Sequence, residues 1–179
     1  MLPKQMFDHR LNPLKGWPSP YALDKAKEVG QATEEQGILA GMVIHIDAVT
    51  GKFKRGLPGN QVPIFAWNDF LAFDTQGADD GNISLNGNMK GLSGLVALGA
   101  YELQTTEFVS GNHYHPNTAL TVQNAAGADL GKVMPGHYYV DTVVGIVSDG
   151  KSTNVQGKEV VSFWSYFLPS TTQSSSSVV

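Results

Sequence analysis

The 179-residue chain predicts an all-β fold: a small antiparallel β-barrel or β-tulip-like domain with an extended N-terminal arm and a short Ser-rich C-terminal tail. Three observations carry this. In Gly37–Gly56, GILAGMVIHIDAVTGKFKRG, Met42, Ile44 and Ile46 alternate with Val43, His45 and Asp47. Asp47-Ala48-Val49-Thr50-Gly51 then turns the chain into Lys52-Phe53-Lys54, so period-two alternation is followed by turn chemistry, a hairpin signal. Similar units recur in AYELQTTEFV (Ala100–Val109) and EVVSFWSYFLP (Glu159–Pro169). Finally, 20 Gly and 9 Pro, with many Thr, Val, Asn and Ser, favour strands and turns over helices.

Taken in order, residues 1–36 read as the arm. Pro3, Pro13, Pro18 and Pro20 exclude a long helix over Met1–Tyr21, because proline fixes φ and biases the preceding residue to an extended shape. The same segment carries Leu2, Met6, Phe7, Leu11, Leu14, Trp17 and Tyr21, more large apolar groups than a solvated linker holds. The arm is therefore expected to lie on a surface, its own or a neighbour's. A segment that cannot build its own core is expected to bury Leu2, Met6, Phe7, Leu11 and Trp17 against a neighbouring subunit. Tyr21–Gln36 reads as a short helix or an extended strand, since Gly30 and Thr33 weaken helix.

Residues 37–169 form the β domain. Strands are expected at Met42–Asp47, Lys52–Lys54, Pro63–Trp67, Phe70–Phe73, Gly94–Leu98, Tyr101–Phe108, Thr118–Gln123, Thr142–Val147 and Glu159–Phe167. Turn clusters separate them at Leu57–Asn60, Gly77–Asn82, Asn86–Asn88, Ala125–Gly127 and Asp149-Gly150. Nothing reads as a βαβ unit, and closure of a small antiparallel sheet hides its edges. The last strand is apolar on both faces, with Val161, Phe163 and Phe167 on one and Val160, Trp164, Tyr166 and Leu168 on the other. Such a strand is central in a sandwich or lies at a subunit contact. Residues 170–179 form a tail whose composition predicts disorder.

Charge and composition narrow the function. Net charge is −4, with 16% charged residues and no basic run, which argues against nucleic-acid binding. No apolar run approaches the ~18 residues of a membrane span. MLPKQMFDHRLNPLKGW has no continuous apolar core and does not read as a signal peptide. The chain has no Cys, which excludes disulfides and thiolate metal sites and weakly favours assembly in a reducing cytoplasm.

Each motif that suggests chemistry has a plainer explanation. His113 and His115 in GNHYHP form an HxH pair that could begin a zinc site, but no third and fourth ligands are evident, and a polar loop before Thr118 accounts for them. Asp79-Asp80-Gly81-Asn82 lacks the spacing and terminal Glu of a calcium loop, and Asp74 has no partner acid at a defined position. Gly145–Ser152, GIVSDGKS, satisfies the phosphate-loop pattern letter for letter, yet a strand precedes it and no helix start follows, so a hairpin turning at Asp149-Gly150 is expected. Gly91-Leu92-Ser93-Gly94 is not a nucleophile elbow. No catalytic, cofactor or metal set emerges. Trp17, Trp67, Trp164, Tyr138 and Tyr139 could line a sugar-binding face, although core and interface packing also explain them and are the commoner uses.

The order GMVIHIDAVTGK, PIFAWND, a glycine-rich middle, AYELQTTEFV, PNTALTV, TVVGIVSDGK and VSFWSYFLP resembles the head-decoration, or cement, proteins of tailed bacteriophages, over about Gly37 to Pro169. The resemblance implies a barrel-like domain on the capsid exterior, usually a trimer at three-fold or quasi-three-fold positions, with an arm that clamps neighbouring subunits. It implies a non-enzymatic virion protein that is made in the host cytoplasm, binds the major capsid protein, needs no cofactor, and touches neither nucleic acid nor membrane. The long arm before Gly37 departs from the smallest members. Expected partner contacts are Leu2, Met6, Phe7, Leu11, Trp17 and Tyr21 in the arm, with Phe163, Trp164, Tyr166 and Phe167 in the last strand. The rival expectation is a carbohydrate- or receptor-binding β module of a phage virion.

Overall fold

A computed structural model describes residues 11–15, 21–22, 38–49, 53–66, 93–95 and 101–171. These residues are all-β, with no helix among them. The strands are β1 (Leu11–Lys15), β2 (Tyr21–Ala22), β3 (Val43–Ile46), β4 (Phe53–Arg55), β5 (Ile64–Ala66), β6 (Ser93–Leu95), β7 (Glu102–Thr105), β8 (Ala119–Val122), β9 (Val133–Pro135), β10 (Val143–Thr153) and β11 (Glu159–Leu168). They form two antiparallel sheets, a six-stranded one ordered β1-β7-β11-β10-β8-β9 and a five-stranded one ordered β2-β6-β5-β3-β4. The described ladders make two sheets, and closure into one barrel is not among them.

The core lies where the sheets face each other. Val43 and Phe65 of the smaller sheet pack with Leu103, Leu120, Val147, Val161 and Phe163 of the larger one. A second apolar cluster, Ile38, Ile44, Phe53 and Ala66, covers the far face of the smaller sheet, so β3 and β5 are buried on both sides. The alternation in MVIHI is thus real but does not divide core from solvent. Away from the ladders, the segment after β8 stitches the sheets together. The Val43 amide donates to the Gly131 carbonyl at 2.7 Å, and the Asn124 side chain accepts from the Leu57 amide and donates to its carbonyl.

Two parts of the N-terminal segment enter the fold. β1 pairs with β7 in register Leu11↔Thr105, and Leu11 is 5% exposed within the main core cluster. Tyr21–Ala22 pairs with β6 as a strand, not a helix. The expectation that Leu11 waits for a neighbouring subunit is corrected, because this chain already buries it. Pro13 fits because β1 is an edge strand, where a missing N–H costs no ladder bond. Leu2, Met6, Phe7, Trp17, the expected strand Phe70–Phe73 and the tail from residue 172 lie outside the described residues.

The phosphate-loop letters of Gly145–Ser152 fall inside β10. The expected turn at Asp149-Gly150 is a bulge instead: Val147 pairs with Phe163 and Gly150 with Ser162, leaving Ser148 and Asp149 without partners in the register. Gly150 takes φ +85°, and a side chain there would meet the Tyr114 carbonyl at 2.9 Å. Gly145 is needed for space, since a Cβ would fall 2.6 Å from the Phe163 ring. The chain turns later, at Asn154–Gly157, where Asn154 Oδ1 accepts from the Gln156 and Lys158 amides.

Candidate functional site: an aromatic sheet face and a tyrosine loop

β11 sits between β7 and β10, which fixes what each of its aromatics can do. Val161, Phe163 and Ser165 point into the core, and Phe163 is fully buried. Its assignment as a partner contact is corrected: the ring packs on Phe65 of the other sheet and has no surface left for another subunit. Trp164 lies on the opposite face, in a cross-strand row with Glu102 on β7 and Ile146 on β10. That face is not simply open, because Val160, Ser162 and Glu102 are buried on it.

Toward the end of β11 cover thins out. Trp164, Phe167 and Leu168 are partly buried, while Tyr166 is 41% exposed. A bulge separates the pairs Gly145↔Ser165 and Val143↔Leu168, so strict alternation does not hold through Tyr166 and Phe167. Leu14 falls in the bulge of β1, two ladders away, and is 47% exposed. Ile146 and Trp164 therefore form an apolar stripe on the outer side of the six-stranded sheet, flanked by Leu14 and Tyr166, which are exposed in the bulges of β1 and β11, while the side chain of Tyr21 lies outside the described residues.

A second exposed group occupies the loop between β9 and β10. His137 to Asp141 form a single tight turn, in which the Asp141 carboxylate accepts from the His137 amide at 2.8 Å and the Asp141 amide donates to the His137 carbonyl. Its crest, Tyr138, Tyr139 and Val140, is exposed. The chain leaving β11 straps the turn: Thr171 donates from its amide and hydroxyl to the Tyr139 carbonyl, and the Ser170 hydroxyl donates to Val140. Asn60 in turn accepts from the Ser170 amide and from the Thr142 hydroxyl.

His113 and His115 stand exposed on the loop of residues 111–117, their rings stacked at 5.9 Å. Tyr114 between them turns inward, packs edge-on against Phe108, and donates its hydroxyl to the Val109 carbonyl at 2.7 Å. Burial pushes its phenol up to about 12. Among the described residues no group of three or more His, Asp or Glu is placed to hold a metal ion. A cleft of about 460 Å³, lined by Met42, Glu107, Phe108, Lys132, Lys158 and Glu159 among others, lies elsewhere. Its polar groups are engaged: Lys132 pairs with Asp129, Glu159 with Lys151, and Glu107 accepts from the Thr106 hydroxyl.

Sequence reasoning grouped Tyr138 and Tyr139 with Trp17, Trp67 and Trp164. Trp164 instead belongs to the six-stranded sheet and the tyrosines to a loop, while Trp17 and Trp67 lie outside the described residues. The strap from Ser170 and Thr171 was missed, since a Ser/Thr run carries no signal of what it will hydrogen-bond. No protein-family model, no curated protein and no solved structure matches the chain.

Proposed function

We propose that the chain is a structural virion protein, not an enzyme, that sits on the outside of a tailed-phage capsid and cements neighbouring major capsid subunits around packaged DNA. The observation that supports this most is the stripe of Ile146 and Trp164, flanked by the exposed Leu14 and Tyr166 and the partly buried Phe167 and Leu168, on an otherwise well-packed sheet. Exposed aromatics on a rigid sheet are suited to protein contact, where they carry a disproportionate share of binding energy.

A homotrimer is the assembly that fits this role. Three copies about one axis would engage three capsid sites at once, and linked contacts retain a protein beyond its single-site affinity. The capsid under internal pressure needs contact area at subunit junctions, which calls for no cofactor, nucleic acid or membrane.

Native mass spectrometry of the isolated protein, with co-sedimentation on heads of the encoding phage stripped of it, tests the reading. A trimer that saturates the heads at fixed stoichiometry is expected. A monomer that stays in the supernatant would sink the cement reading in favour of the rival, a carbohydrate- or receptor-binding β module.

A further inference from the structure

We infer that the crest of the β9–β10 loop is a binding site for an uncharged hexopyranose unit of an oligosaccharide, which stacks on Tyr139 and Tyr138 beside Asn117. This goes beyond capsid attachment and does not depend on it.

The backbone supplies the first reason. Among the described residues only Asn117 and Tyr139 have positive φ without being glycine, at 67° and 68°. Asparagine tolerates that region, whereas for a bulky aromatic it is an outlier. Outliers persist where surrounding structure over-determines them, and they cluster at binding sites. Here the over-determination is visible. Thr171 holds the Tyr139 carbonyl by two hydrogen bonds, Ser170 holds Val140, and Asp141 closes the turn from below. A residue held in a disfavoured conformation is nevertheless 65% exposed.

The second reason is the rigidity of the neighbouring ring. Tyr138 donates its hydroxyl to the Asn117 carbonyl at 3.2 Å. Tyr138, held at its Cβ and at its hydroxyl, is still 40% exposed. Rigid exposed tyrosines give contact area with little loss of side-chain entropy.

The chemistry at the rim selects the ligand. The carbonyls of Asn117, Tyr139 and Val140 are already accepting, so a peptide finds no backbone edge to extend. The carboxylate on the crest, Asp141, is turned onto the His137 amide, and no lysine or arginine lies within residues 111–117 or 137–142, so phosphate and sulfate find no permanent cation there. What remains is two exposed tyrosines next to Asn117, which is itself exposed and whose carbonyl the Tyr138 hydroxyl reaches. A pyranose matches that set: an apolar C–H face for the rings and hydroxyls for the Asn117 carboxamide.

The test uses the full-length chain on a printed array of neutral, sialylated and sulfated oligosaccharides, then calorimetric titration with the best neutral probe. Binding to neutral glycans with a millimolar to high-micromolar Kd is expected. Tyr139→Gly removes the ring while suiting the backbone, so it should keep or raise the thermal midpoint and weaken binding at least tenfold. Tyr138→Phe keeps the ring but frees it from Asn117, and should weaken binding about threefold. No binding on the array, equal binding by Tyr139→Gly, or preference for charged glycans would each overturn the inference. So would loss of co-sedimentation with phage heads in Tyr139→Gly, because the ledge would then be a capsid contact.

Discussion

The rings of Phe65 and Phe163 meet across the two sheets with centroids 5.5 Å apart and planes tilted by 40°. Each is fully buried, and Phe163 also lies directly over Gly145. This contact joins β5 to β11 and makes Phe163 part of what holds the sheets together. Phe163→Ala should therefore cost about 3–5 kcal/mol, the usual range for deleting a buried phenyl ring. Chemical denaturation is the measurement. A mutant of wild-type stability that had only lost assembly would show the ring to be an interface group after all.

The Leu11 finding changes what truncation should do. A free arm could be removed without harm, but Leu11–Lys15 is an edge strand and Leu11 fills the core. Leu11→Ala should destabilise the domain by about 2–5 kcal/mol, and deletion of Met1–Gln36, which also removes β2, by more. A truncated domain that melts at the wild-type temperature would contradict this.

How far the sequence reveals the fold depends on how local the signal is. Met42–Asp47, Thr118–Gln123 and Glu159–Phe167 announce themselves by alternation and recur as β3, β8 and β11 within one or two residues. β9 was missed because Val133-Met134-Pro135 is three residues long and ends in proline, which an edge position permits. Asp149-Gly150 reads as a turn because its residues suit one, yet the same left-handed glycine serves a bulge, and only pairing with Ser162 distinguishes the two. For the aromatic strand, parity separated Phe163 from Trp164 correctly. Which side is inside depends on the second sheet, a contact nearly 100 residues away in sequence between Phe65 and Phe163, and no local pattern encodes it. The tyrosine loop was legible only as composition, because its positive φ and its strap are tertiary facts.

His113 and His115 are exposed, and only Tyr114 between them is anchored. The double substitution His113→Ala and His115→Ala should leave folding and head attachment unchanged. Metal analysis of the purified protein is the check. Stoichiometric zinc that disappears in the double mutant would establish a site that two imidazoles alone do not complete.

Tyr114 gives a pH prediction whose sign follows from its environment. Burial holds the folded-state phenol at about 12, above the ordinary 10.0, so the native state favours the neutral form. The corresponding stabilisation is fully present below pH ~10 and is lost as pH rises toward 12. Ultraviolet titration of phenolate absorbance should show one tyrosine ionising late, together with unfolding, and Tyr114→Phe should remove that step. A wild-type chain whose tyrosines all titrate near 10 would be inconsistent with a buried, hydrogen-bonded phenol.

The function reading stands on Tyr166 and Trp164 together. Tyr166 is exposed, and Trp164 is partly so on the sheet face opposite the Phe163 core, so truncating Tyr166 removes contact area without opening a cavity. Tyr166→Ala should change stability by no more than about 0.5 kcal/mol, as surface substitutions do. If the stripe is the attachment surface, the same change should cost about 2 kcal/mol of binding, roughly thirtyfold in the affinity for heads. Trp164→Ala should weaken attachment at least as much, with a measurable stability cost because part of the indole is buried. Co-sedimentation isotherms beside denaturation curves separate the two effects. Heads that bind Tyr166→Ala and Trp164→Ala as tightly as wild type, with both proteins folded, would remove the stripe from the function and leave the cement reading without its main support.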